Sequence, residues 1–456
     1  MRILLTKIKD TGAGAFSWEG KWPWADYVAQ RSAAFLGSLA VGFGFGASSA
    51  FAEPLYSEIA VIPVPAIQSI NPTGAFSFDI SFFDANTQRD YVADRSNASI
   101  DVFSAATNSF LMHMPGTGAN AFVGSVGAPD TGPNGVLVVN QPGQHVVYGG
   151  DGNSTVKAFD VGTSFPAAGS PVVTGLAAQG RADEMAFDPA NNLLLVANDH
   201  GTPSPFVSLI NTLTNTVVPG GKIIFDGSLG TPNATSGIEQ PVWDPHTGRF
   251  YISVPEIGGS PDPGGIAVVD PIAGTVTKVY DLMDFGIAAC GPTGLALGVG
   301  DQLMIGCGNG ASILFDPTAN GGKGAVIKTF ALATGIDELT YDPSRGLFFL
   351  ASSANGLSVI DGLSDTFIQQ LITGPGAHSV SVDPVSNEVF VPVRATPLIA
   401  GCSTGCVEVF GIPEPGTLPL MAGGLLALVG LGWRRRQDVA LGWQFWVRGD
   451  ERRFDA

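Results

Sequence analysis

Residues 337–351 read DELTYDPSRGLFFLA: a short strand, an Asp-Pro turn and a second, fully apolar strand. The same pattern returns as FDISFFDANTQRDYVA (78–93), DEMAFDPANNLLLVA (183–197), EQPVWDPHTGRFYIS (239–253) and HSVSVDPVSNEVFVP (378–392). GPNGVLVVNQPGQHVVYG (132–149) and GPTGLALGVGDQLMIG (291–306) keep the pattern without its aspartate. Seven copies therefore start near residues 76, 133, 183, 238, 292, 336 and 377. Each continues with a polar loop and a third strand, such as GIAVVD or LSVID, and most with a fourth such as TVTKVYDL.

Four short strands repeated every 42 to 58 residues or so mark an all-β chain built of propeller blades. The expected fold is a seven-bladed β-propeller of four-stranded antiparallel blades. The seventh copy ends at CVEVFGI with three strands, and SEIAVIPVPAI (57–67) stands alone before the first copy. That N-terminal strand is expected to complete the last blade and so leave no open sheet edge.

Composition agrees with this architecture. Of 456 residues, 61 are Gly and 32 Pro, while only 14% are charged, which excludes a helical bundle; 45% apolar residues exclude a disordered chain. The net charge of −18 argues against a nucleic-acid partner, because phosphate binding draws on a surplus of Lys and Arg. Residues 53–412 alone hold 11 Lys/Arg against 32 Asp/Glu, a net −21.

The ends read as addresses around the 53–412 propeller domain. Residues 32–52, SAAFLGSLAVGFGFGASSAFA, follow Arg31 and read as a secretory signal cut by signal peptidase after Ala52. A retained membrane helix is the alternative. The thirty residues before it, with Trp18, Trp22 and Trp24, are an unusual leader, such as a start assigned too far upstream would give. At the other end, Pro413, Glu414 and Pro415 precede an apolar stretch from Gly416 to Trp433 and then Arg434, Arg435 and Arg436. A marginal span with a cytoplasmic arginine clamp follows from the positive-inside rule. A 20-residue extension, 437–456, follows the arginines.

Residues 413–436 resemble the PEP-CTERM sorting signal of exopolysaccharide-producing Gram-negative bacteria. The resemblance implies transient membrane anchoring, processing by an exosortase, and a final place in the outer envelope or outside the cell. The extension departs from that pattern, since such tails end at the arginines. Within the domain, YVADRSNASIDVFSAATNSF (91–110) is similar to the Tyr-Val-Thr-Asn repeat of surface-layer-type propellers, which implies an exported propeller but no activity.

Cys290, Cys307, Cys402 and Cys406 are an even set in a compartment that permits disulfides. We expect Cys290–Cys307 and Cys402–Cys406; zinc ligation is the alternative, although no CxxC pair supports it.

The residue five before each Asp-Pro aspartate, or its aligned equivalent, gives a ring of Asp79, Asn134, Asp183, Glu239, Thr293, Asp337 and His378. Loops between second and third strands bring Asp94, Arg95, Asn97, Asp151, Asn153, Asn198, Asp199, His200, Glu256, Asn309 and Arg394 to the same channel mouth. Oxygen ligands in that number suit Ca²⁺ or another hard divalent cation, with Asp183, Glu239 and Asp337 as its ligands. Channel waters held by the same polar ring are the competing reading. Glu184 and Glu338 follow ring positions by one residue, so strand alternation points them into the blade. Asp84, Asp188, Asp244, Asp342 and Asp383, and Asp160, Asp270, Asp316 and Asp361, are expected to organise tight turns. His113, His145 and His246 are expected on the surface.

No nucleophile elbow, zinc helix or phosphate loop occurs. The leading expectation is a binding or scaffold protein whose mouth engages an exopolysaccharide or an envelope protein. The alternative resembles gluconolactonases and related propeller lactonases. That likeness implies a metal-dependent hydrolase, its cation held by Asp183, Glu239 and Asp337 and its base His378 or His200; the ligand motifs of those enzymes are not matched residue by residue.

Overall fold

In the computed structural model the described residues are 56–413, apart from 126–130, 164 and 176–179. The expected signal at 32–52, the sorting-signal residues Glu414, Pro415, Arg434, Arg435 and Arg436, and the extension 437–456 lie outside them. No helix among the described residues is long and apolar enough to cross a membrane.

The described chain forms seven four-stranded antiparallel sheets, one per sequence copy. Blade 1 is Phe78–Asp84, Arg89–Asp94, Ser99–Ser104 and Ser109–Met114, each strand hydrogen-bonded to the next. Blades 2 to 6 repeat this order from Val136–Gln141, Arg181–Asp188, Pro241–Asp244, Pro292–Leu297 and Leu339–Asp342. Blade 7 takes Ser381–Val382, Val389–Val393 and Cys406–Gly411, and its outer strand is Ser57–Pro63. The ring is thus closed by the N-terminal strand, Ile62 pairing with Val407 and Pro63 with Cys406.

The second and third strands are buried on both faces, so they read as continuous apolar runs such as LLLVAND and LFFLAS. Apolar side chains from adjacent blades meet in seven clusters, one for each junction between neighbours. At the closing junction Ile62, Phe76, Phe78, Phe103, Phe390 and Val407 pack together.

Asp-Pro aspartates act as expected. Asp244 Oδ1 accepts from the N–H of His246 at 2.8 Å, Asp342 from Ser344 at 2.8 Å and Asp383 from Val385 at 2.9 Å. Asp84, Asp188, Asp270, Asp316 and Asp361 do the same two residues on. Asp160 turns the chain through its backbone instead, its carbonyl accepting from Thr163 at 3.1 Å. Both expected disulfides form, with Cα–Cα distances of 4.5 Å for Cys290–Cys307 and 5.0 Å for Cys402–Cys406. Such bridges suit an oxidising compartment.

The innermost strands carry the feature that shapes the channel. In blade 6 the N–H of Asp337 donates to Ala351 O at 3.0 Å, and the N–H of Ala351 donates to Glu338 O at 2.9 Å. Two residues thus oppose one, a β-bulge. Blades 2 and 4 repeat it, with Asn134 and Gly135 against Gly150 and with Glu239 and Gln240 against Ser253. Register shifts place the same irregularity in blades 1, 3 and 5. The second N–H of the bulge is then spare and reaches the next blade: Ile80 to Asn134 O at 3.2 Å, Gln240 to Thr293 O at 3.2 Å and Glu338 to His378 O at 3.1 Å.

Closure by Ser57–Pro63 gives a paired prediction. Ile62, 1% exposed, should cost about 2–5 kcal/mol when cut to Ala. Ile59, 44% exposed on the same strand, should cost under about 0.5 kcal/mol. Equilibrium denaturation of both variants checks this, and equal small losses would mean that the strand does not seal the last blade.

Candidate functional site

Bulged first strands turn two consecutive side chains toward the axis, and the channel is built from them. Its polar end is a cavity of about 250 Å³ lined by Asp79, Arg95, Arg181, Asp183, Glu184, Glu239, Asp337, Glu338, Ser353, His378 and Arg394, with Ile80. Six carboxyl groups therefore face three guanidiniums and one imidazole.

Arg181 is the hub. Its Nε donates to Asp183 Oδ2 at 2.5 Å and its second terminal nitrogen lies 3.2 Å from Asp199 Oδ2. Burial opposes its charge, but Asp183, Asp79, Asp199 and Glu239 together hold it firmly protonated. Arg95 pairs with Asp79 and donates through Nε to Asn134 Oδ1 at 2.8 Å. His378 lies with Nε2 3.5 Å from Asp79 Oδ1, its Nδ1 2.8 Å from Gly376 O and its ring stacked on Phe78. Burial works against the imidazolium, yet Asp79 and Asp337 raise its pKa on balance. Burial would likewise raise Asp79, and Arg95, His378 and Arg181 outweigh it and bring it down to about 2.

Other carboxyls lack such relief. Burial, with Asp79 and Asp199 against Arg181, lifts Asp183 to about 7. Burial and the Glu338 carboxyl push Glu184 well above its ordinary range, and burial lifts Glu338 to about 8. The Glu184 and Glu338 carboxyls lie beside each other, and each acts on the other's titration. Gln240 locks this floor: Nε2 donates to Glu338 Oε2 at 3.1 Å and to Leu339 O at 3.0 Å, while Oε1 accepts from Leu295 N at 2.6 Å and Leu339 N at 3.3 Å. One side chain thereby ties blades 4, 5 and 6.

Five of the seven ring residues, Asp79, Asp183, Glu239, Asp337 and His378, line the cavity with Arg95 and Arg394. Asn134 is buried behind Arg95, and Thr293 Oγ1 turns away to Ile336 O at 2.5 Å. Most loop candidates serve the blades. Asp94 accepts from the N–H groups of Ser96 and Asn97 and from the Asn97 amide, which in turn reaches Pro65 O. Asp151 holds fully buried Lys157 at 2.5 Å, with Asn153 Oδ1 3.2 Å from the same amine. Asn198 bonds Thr174 and Ser208. Asp199 is buried against Arg181 and His200, and it accepts from Ile238 N at 3.2 Å, linking blade 3 to blade 4. His200 is half exposed. Glu256 and Asn309 line a different cavity of about 290 Å³.

Three sequence expectations need correction. Glu184 and Glu338 face the channel, because the bulge cancels the alternation that would have turned them away. His113 is not a free surface residue: Nδ1 sits 2.7 Å from buried Asp101 Oδ1, whereas His145 and His246 are exposed. The metal trio does not assemble. Among the described residues, the one set of three donor side chains with ligand atoms within 4.8 Å of one another is Asp244, His246 and Asp301, at an exposed turn. Arg181 is paired with Asp183 and feels the charge of Glu239, and the three carboxyls are not gathered within ligand reach of one another, so these residues do not fit a divalent ion held by Asp183, Glu239 and Asp337.

Arg181 was legible in the sequence and overlooked. It precedes Asp183 by two, which in a strand places both on one face. No protein-family model matches the chain, and no curated protein matches it in sequence.

Proton counting gives a pH prediction. Asp183 at about 7 and Glu338 at about 8, with blade-buried Asp90 at about 8 and Asp101 at about 7, keep protons that an unfolded chain releases near pH 4. Their contribution to stability is complete below about pH 4 and is lost as pH rises through 7 to 8. Asp79 runs the other way, its contribution disappearing as pH falls through about 2. The melting temperature should therefore be higher at pH 5 than at pH 8 by roughly 5 °C. Calorimetry at the two values decides it; a higher melting temperature at pH 8 would mean that these carboxyls are ionised and paired.

Proposed function

We propose that the protein is an exported binding or scaffold propeller whose polar mouth takes a hydroxyl-rich ligand, the end or a single unit of an exopolysaccharide chain. The observation that carries this reading is the gathering of six carboxyls and three guanidiniums around about 250 Å³. Carboxylates accept from sugar hydroxyls and guanidinium forks donate to them, so vicinal hydroxyl groups meet both kinds of partner at once. The cavity lies below the roughly 300–1,000 Å³ of drug-sized ligand sites, which suits one sugar unit. Export by the N-terminal signal and exosortase processing at Pro413–Pro415 are supported by the sequence patterns at the two ends and by the disulfides. Binding is favoured over metal-dependent hydrolysis because Asp79 and Asp183 are paired with Arg95 and Arg181 and the candidate ligand trio is not gathered.

Two measurements test this. Calorimetric titration with neutral and amino-sugar oligosaccharides should show binding that Asp337→Asn, at an exposed wall position, weakens at least tenfold with an unchanged melting temperature. No binding by any of these glycans would refute the ligand class. In an exosortase-containing host, the intact mass of the mature protein should lack residues 1–52 and end near Pro413–Pro415; a full-length C-terminus there would refute the processing.

A further inference from the structure

The channel continues past the polar mouth. Ile80, Glu184 and Glu338 line a second chamber as well as the first, and so separate the two. This chamber measures about 590 Å³, within the size range of small-molecule sites. Its wall is largely apolar, including Leu137, Met185, Trp243, Leu295, Tyr341 and Val382. Ala85, Pro343 and Pro384, from the Asp-Pro turns, place its opening on the face opposite the polar mouth.

We propose that this chamber is a second binding site, for an organic cation with an apolar body, whose ammonium seats on the Glu184–Glu338 carboxyl pair while the body fills the apolar wall. The proposal does not depend on the glycan reading of the polar mouth.

Three observations meet here. Glu184 is 5% exposed, and its Oε2 has no hydrogen-bond partner among the described residues, although the side chain lines the chamber. A buried acceptor without a partner costs roughly 1–3 kcal/mol, so a donor arriving there recovers that cost. Besides burial, the strongest influences on the pair come from carboxyls: Glu338, Glu239 and Asp183 on Glu184, and Glu184, Asp337, Asp79 and Asp183 on Glu338. Arg95 and Arg181 are paired with aspartates of the polar mouth, and a ligand ammonium would supply the counter-charge that lets the protonated pair give up a proton and ionise. Finally, the mainly hydrocarbon wall does not suit a bare hard cation, which wants six or more oxygens. It suits an amine whose apolar part removes the surface of Leu137, Leu295 and Val382 from water, with the Trp243 and Tyr341 rings adding quadrupole attraction. A carboxylate ligand would add one more carboxyl to a cluster that has no cation of its own, and gains nothing there.

Calorimetric titration of the protein with 2-phenylethylammonium, 2-phenylethanol and 3-phenylpropionate separates the charge from the shape. The ammonium should bind at least tenfold more tightly than the alcohol, and the carboxylate should not bind. Glu184→Gln with Glu338→Gln should bring ammonium and alcohol within about threefold of each other. Should the double variant fail to fold, Glu184→Gln alone should narrow the gap. Thr340→Phe, at a half-buried wall position, should abolish binding of both, while leaving the far-ultraviolet spectrum unchanged. The proposal is overturned if the alcohol binds as well as the ammonium, if the preference survives removal of both carboxyls, or if neither 2-phenylethylammonium nor n-hexylammonium binds at millimolar concentration.

Discussion

Everything in this molecule depends on one extra residue in the innermost strand of its blades. A four-stranded blade satisfies its own backbone, but its inner edge would otherwise present a row of unpaired groups to the channel. The bulge divides the work between two adjacent N–H groups. The first stays in the blade, as Asp337 does with Ala351, and the second crosses to the neighbour, as Glu338 does with His378. Gly135 shows how tight this crossing is, since an added Cβ there would overlap the carbonyl of Asp183 in the next blade. Ser81 and Ser379 perform the same clasp by side chain where the ring closes, with Ser81 N donating to Ser379 Oγ at 2.8 Å.

From that backbone constraint follows the unusual chemistry of the axis. A regular strand would have sent alternate residues inward, giving one polar ring. The bulge sends in two, so blades 3 and 6 each contribute a carboxyl pair, Asp183 with Glu184 and Asp337 with Glu338. Crowded carboxyls in a poorly solvated channel have two ways to avoid mutual repulsion, pairing with cations or keeping protons. Both are used, at different depths. Near the mouth Arg95 and Arg181 pair with Asp79, Asp183 and Asp199, although Asp183 still keeps its proton to about pH 7; farther in, Glu184 and Glu338 keep protons, and Gln240 braces Glu338.

How much of this could be read beforehand is clearest at particular residues. Asp-Pro turns, seven copies and the orphan strand at 57–63 are local patterns of period two with fixed punctuation, and they specified the blades and their closure. Both cysteine pairs were legible because each partner has only one near neighbour in sequence. The site was legible in part. Asp79, Asp183, Glu239, Asp337 and His378 were found from alignment alone, since a repeat puts equivalent positions in equivalent places. Asp94, Asp151 and Asn198 were misplaced because a polar residue at a loop mouth has two fates, and only the three-dimensional surroundings, such as Lys157 under Asp151, show which one applies. The bulge left a trace that alternation reasoning discards: adjacent polar residues in DEMAFDP, EQPVWDP and DELTYDP, where a half-buried strand should carry one.

The acidity of the chain also takes on a different meaning. Arginine neutralises carboxylates through fixed, directional forks and does not leave, whereas a bound divalent ion would have made the mouth dependent on its supply. A mouth held by Arg181 is preorganised before any ligand arrives, and its polar groups already point into the cavity. The floor of the channel is the opposite case. Its carboxyls are relieved only by keeping protons, and an unpartnered oxygen of Glu184 remains at the boundary of an apolar chamber. Two chambers of one channel therefore differ in kind, one internally compensated and suited to neutral polar ligands, the other left with a deficit of positive charge. Selectivity at each end follows from how its carboxyls were neutralised, and that in turn follows from the bulge that brought them there.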